Sequence, residues 1–69
     1  MLKAAKIFFG RSQAVDCVVV DLSVGGAGIK TPNATDIPDE FDLSFDGART
    51  LRPCRIAWRS GIAMGVAFV

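Results

Sequence analysis

The sequence predicts an all-β fold, a small six-stranded antiparallel β-barrel, on three observations. Apolar and polar residues alternate with period two in several short runs. No segment carries the 3.6-residue period of an amphipathic helix. Gly, Pro, Asn and Asp punctuate the runs at spacings that fit turns between short strands. A two-sheet sandwich would satisfy the same pattern. The barrel is favoured because 51% of the 69 residues are hydrophobic, and closure hides strand edges that so apolar a chain could ill expose.

Lys3 to Phe9 reads as the first strand, ended by Gly10 and a polar turn at Arg11 to Gln13. Cys17 to Leu22 is a β-branched run too short for a free-standing helix, bounded by Gly25 and Gly26. Ala27 to Thr31 continues as a short strand after that turn. Pro32 to Asp39 holds two Pro, an Asn and two Asp without periodicity, and reads as a loop. Phe41, Leu43 and Phe45 then alternate with Asp42, Ser44 and Asp46, as a strand with one wet face does. Asp46-Gly47 reads as a turn into the next strand. There Cys54, Ile56 and Trp58 share one face, and Arg55, Ala57 and Arg59 the other. After Ser60-Gly61, the run from Ile62 to Val69 alternates large with small residues, which suits close approach of a neighbouring layer in a tightly curved barrel. The expected core contains Ile56, Trp58, Val66, Phe68, Phe41 and Leu43.

The length allows one domain, residues 1–69, and a small core: a chain this short buries about 60% of its unfolded surface. Eight Lys and Arg against seven Asp and Glu leave a net charge of +1, so no global field draws the chain onto nucleic acid or anionic lipid. There is no His and no Tyr, which removes the commonest general base and metal ligand. A binding module is expected, not an enzyme, with no catalytic residue. Cys17 and Cys54 are expected as free, buried thiols packing like small hydrophobes in a cytoplasmic protein. Two thiols alone cannot close a zinc site, and no metal is expected. No run of 18 apolar residues is present to span a membrane.

The densest cluster of special residues is Asp21-Leu22-Ser23-Val24-Gly25-Gly26-Ala27-Gly28. Strand alternation puts Asp21 and Ser23 on one face, a carboxylate beside a hydroxyl, next to a glycine turn with accessible backbone N–H groups. A guanine edge, with its N1–H and N2–H₂ donors, is a natural partner for such a carboxylate. A polar strand end entering a turn has the same appearance. Other motifs fail on inspection: Thr31 stands where G-x-G-x-x-G needs its last glycine, Ile29 interrupts the Gly-Lys-Ser/Thr of a P-loop, and Ser23 lies outside G-x-S-x-G. The carboxylates Asp36, Asp39, Glu40, Asp42 and Asp46 read as a solvated loop and strand face. Arg49, Arg52, Arg55 and Arg59, with Trp58 among them, resemble the stripe of a single-strand nucleic-acid binder. The acidic residues upstream oppose that reading, and Trp58 shares a face with Cys54 and Ile56.

The stretch Asp16 to Ala27 resembles the D/N-x-S-x-x-G signature of the PilZ family, with Asp21, Ser23 and Gly26 at its fixed positions. Arg52 to Arg59 and Gly65 to Phe68 are similar to the closing strands of such domains. The resemblance implies a bacterial six-stranded barrel that binds cyclic di-GMP in signalling. Its ligand-binding residues would be Asp21, Ser23, Gly25 and Gly26, the glycines letting backbone approach the ligand. In some members an aromatic in the region of Trp58 stacks on a guanine. The family's R-x-x-x-R pair, which grips phosphates and bases, has no match here. Lys3 and Lys6 stand three apart in its place, and lysine lacks the planar fork. Weakened binding of cyclic di-GMP is therefore expected. The expected partners are cyclic di-GMP and a protein effector, with no cofactor, no DNA or RNA and no membrane. The alternatives are a degenerate adaptor that no longer binds nucleotide and, less favoured, a single-stranded nucleic-acid-binding barrel.

Overall fold

The computed structural model of the protein describes residues 2–69. Period-two alternation yields six strands, β1 (Lys3–Phe9), β2 (Gln13–Leu22), β3 (Gly26–Lys30), β4 (Glu40–Ser44), β5 (Arg52–Ser60) and β6 (Ala63–Phe68). They close into a barrel in the order β1-β2-β3-β6-β5-β4, every neighbour antiparallel. The single helical turn among the described residues is a 3₁₀ turn at Ala34–Asp36, within the expected Pro32–Asp39 loop. Asp46-Gly47 is not a tight hairpin turn. It opens a longer connection to β5, in which Gly47 and Ala48 both take positive φ, 70° and 75°. Ser44 holds that connection: its hydroxyl donates to Asp46 Oδ1 at 2.8 Å and accepts the Ala48 N–H at 2.9 Å.

Because all pairings are antiparallel, β1, β3 and β5 run one way and β2, β4 and β6 the other. One rim, here the upper, therefore gathers the start of β1, the β2–β3 turn, the β4–β5 connection and the end of β6. The lower rim gathers the β1–β2 and β5–β6 turns and the β3–β4 connection. The interior is filled by Ile7, Val19, Ile29, Leu43 and Met64, all essentially without solvent contact. Phe41, Leu43 and Val66 are buried as the alternation predicts, while Ile56 and Phe68 pack half-buried against the same cluster. Cys17 and Cys54 are free thiols inside it. Burial pushes each of them up to about 11, Asp16 and Cys54 adding to the effect at Cys17.

The sixth expected core residue is a correction. Trp58 is 54% exposed and stands on the outer wall. The cause is a β-bulge: Ile56 pairs with Val66 and Trp58 with Gly65, so Ala57 is an extra residue with no partner of its own. One added residue inverts the inside–outside alternation beyond it. Trp58 is turned out and Arg59 is turned toward the lower rim. There the Arg59 guanidinium donates to the carbonyls of Ala34 and Ile37, at 2.7 and 2.6 Å, and to Asp39 Oδ1 at 3.0 Å. Ala34 and Ile37 are buried, so Arg59 fastens the segment that plugs the lower end.

Candidate functional site

A second bulge lies in β2, where Val19 pairs with Ile29 and Asp21 with Gly28, leaving Val20 extra. It places Asp21 on the outer wall, exposed, at the end of a row that crosses four strands. The pairings run Asp21 to Gly28, Gly28 to Gly65, and Gly65 to Trp58. Both middle positions are glycine, and each is overlain by its neighbour. A Cβ at Gly28 would lie 2.8 Å from Asp21 Oδ2 and 3.2 Å from Cγ. A Cβ at Gly65 would run into the Trp58 indole, at Nε1 and, 2.6 Å away, at Cε2. The carboxylate and the indole thus lean toward each other over a floor without side chains. Strands lie about 4.8 Å apart, so β2 and β5 are about 14 Å apart along the sheet. Each side chain covers roughly one spacing, and about one spacing of bare backbone remains between them.

Ser23 lies just past the end of β2. Its N–H donates to the Gly26 carbonyl at 2.9 Å, and its hydroxyl donates to the same oxygen at 3.3 Å. Ser23 lines an upper-rim groove of about 480 Å³, with Leu22, Val24, Phe45, Thr50 and Arg52 among the other walls. Gly25 faces open space, where any Cβ would fit. Gly26 has a structural reason to be glycine: a Cβ there would collide with the Val66 carbonyl of β6. Two neighbours that the motif did not single out, Gly28 and Gly65, are the ones that shape the outer wall. The signal for them was available, since glycine inside a strand marks close approach of another group.

The cations distribute unevenly. Lys6 is paired with Asp16, Arg55 with Glu40 at 2.9 Å, and Arg59 with Asp39. Arg11 lines a different groove, on the outside of β1 and β4. Lys3 sits 5.2 Å over the Phe45 ring and Arg52 4.3 Å over the Phe68 ring. The three arginines of β5 therefore form no continuous stripe: Arg55 points out, Arg52 bends over the upper rim and Arg59 serves the lower one. The Asp46 carboxyl is lowered from its usual value, chiefly by the Thr50 backbone N–H and then by the Ser44 hydroxyl.

A closed barrel that presents a carboxylate and an indole across a glycine floor has the build of a small recognition module. The family model of the PilZ domain matches residues 4–69, and the chain belongs to that family. Membership makes it a PilZ-type signalling module. No curated protein and no solved structure gives a significant match. Among the described residues, no helix is long and apolar enough to cross a membrane.

Proposed function

We propose that this domain binds cyclic di-GMP on its outer wall, between Asp21 and Trp58. The observation that carries the reading is the row Asp21–Gly28–Gly65–Trp58. A guanine needs a flat surface for its face and an acceptor for its N1–H and N2–H₂ edge. The exposed indole supplies the first, a stacking contribution of about 1–3 kcal/mol per base. The Asp21 carboxylate, an acceptor with no competing donor among the described residues, supplies the second. The glycines keep the space between them clear, since any Cβ there would displace one of the two groups.

Ser23 is the adjoining polar group. Its hydroxyl is bonded weakly to Gly26 and can turn to a ligand without leaving a buried atom unpaired. Nothing in this scheme requires a reaction, and the domain acts as a receptor. Calorimetric titration of the chain with cyclic di-GMP, repeated with Asp21→Ala and Trp58→Ala, tests it. Binding that either substitution weakens tenfold or more supports the reading. Absence of binding at millimolar ligand, or an affinity indifferent to both substitutions, overturns it in favour of an adaptor that takes no nucleotide.

A further inference from the structure

We infer that the upper-rim groove is a phosphate-binding site with Arg52 as its principal cation; as the phosphate site of the cyclic dinucleotide it rests on the reading above. Pairing puts Arg52 opposite Leu43, an interior residue, so its side chain follows the inward phase at the point where the barrel ends. It bends over the opening and lies 4.3 Å above the Phe68 ring. Lys3 is inward-phased by the same logic, opposite buried Val19, and lies over Phe45. Two cations thus stand on the two aromatic rings at this end of the barrel. Neither makes an ion pair among the described residues, whereas Lys6, Arg55 and Arg59 all do.

The chemistry follows from how a guanidinium stacks. Arg52 has its Cζ 4.3 Å over the Phe68 ring and no ion pair among the described residues, so its N–H groups remain available as the fork that matches two phosphate oxygens. The ring also fixes the side chain, which lowers the ordering cost of binding. Asp46 is the carboxylate on the groove wall, and it is already engaged by the Thr50 N–H and the Ser44 hydroxyl, at 2.9 and 2.8 Å. The groove therefore offers Arg52, with Lys3 near its edge over the Phe45 ring, against one hydrogen-bonded negative charge, and the Ser23 hydroxyl as a further donor. Ser23 belongs both to this groove and to the turn that follows Asp21, so a ligand with a base on the outer wall would carry its phosphate toward Arg52.

The test uses two probes and the Arg52→Gln variant, which should keep the parent's circular dichroism because Arg52 is exposed. The first probe is inorganic pyrophosphate, added to the ¹⁵N-labelled chain at low ionic strength. It should shift the Arg52 side-chain N–H and the Ser23 and Thr50 amides while the Trp58 indole stays unmoved, and in Arg52→Gln it should shift neither amide. The second is cyclic di-GMP, whose affinity should fall tenfold or more in Arg52→Gln. Arg52→Lys should recover less than half of that loss on a logarithmic scale, because it restores charge without the fork. If cyclic di-GMP binds and moves the Trp58 indole while Arg52→Gln changes affinity less than twofold, the groove assignment is wrong and the outer-wall reading stands. If pyrophosphate binds as described and cyclic di-GMP does not, the anion site stands and the dinucleotide reading falls. Failure of pyrophosphate to shift these residues overturns the groove assignment.

Discussion

Trp58→Ala separates an indole on the outer wall from one in the core. The ring is 54% exposed, so just under half of its surface is covered. Taking about 250 Å² for a full tryptophan side chain, some 115 Å² is shielded from water. At about 25 cal/mol per Å² that sets an upper bound near 3 kcal/mol. The ring lies on Gly65 from outside, so its removal opens no internal cavity and the packing penalty of a core truncation does not arise. A loss of about 2 kcal/mol is expected. Leu43, with no exposed surface, should cost about 3–5 kcal/mol when cut to alanine. A domain of 69 residues has a total stability of about 3.5–10 kcal/mol. Trp58→Ala should therefore stay folded, its midpoint lowered by about 8–16 °C in a thermal melt followed by circular dichroism. Leu43→Ala should melt well below Trp58→Ala. A Trp58→Ala protein that has lost 4 kcal/mol or more would refute the exposed placement and restore the inward phase. A loss under 0.5 kcal/mol would show that the indole does not rest on Gly65.

Gly28→Ala puts a Cβ where Asp21 Oδ2 now lies. It should change stability by less than about 1 kcal/mol yet weaken cyclic di-GMP roughly tenfold by displacing the carboxylate; calorimetry at unchanged affinity would detach Asp21 from the site. Arg59→Ala removes donors from two backbone carbonyls at the lower end and should cost about 2–3 kcal/mol in urea denaturation, with Arg59→Lys recovering only part. Both thiols are raised from 9.0 to about 11 by burial, so the folded state binds the protons that the unfolded chain releases. Their contribution to stability is full below pH 9 and lost as pH rises toward 11; at pH 8 the native chain should react with a thiol reagent far more slowly than the chain in denaturant. Asp46 is lowered, so what it adds to the order of the β4–β5 connection is present above 3.8 and lost as pH falls through its depressed value; the Thr50 amide resonance should report that step below pH 3.8.

Alternation made the strands legible. Phe41, Leu43 and Phe45 against their polar neighbours define β4 to within a residue, and the run Lys3 to Phe9 coincides with β1. The Asp21–Ser23 cluster was visible because its residue types are unusual together. What alternation could not supply is the phase beyond a bulge. Ala57 and Val20 look like any other small or β-branched strand residue, and the extra residue shows itself only when the partner strand is present to be out of step. Extrapolating from Cys54 and Ile56 put Trp58 inside and Arg59 outside, both inverted. The glycine floor escaped for a related reason. Gly28 and Gly65 are 37 residues apart in sequence and become neighbours only through the β3–β6 pairing that closes the barrel. Trp58 as a partner of Asp21 depends on both facts at once.

An even number of antiparallel strands has a consequence for engineering. Because β1 starts and β6 finishes on the same rim, any polypeptide joined to either end of the domain leaves from beside the groove that holds Ser23 and Arg52. A pair of fluorescent proteins attached at the two ends would sit together there, with the barrel below them and out of the way. Resonance transfer between them would then respond to whatever enters that groove, through crowding and charge, without requiring the barrel to change shape. The outer wall, where Trp58 stands, would stay clear of both tags, and in the untagged domain its indole emission follows events on that surface. The tagged and untagged domains would in this way report the two halves of a ligand separately.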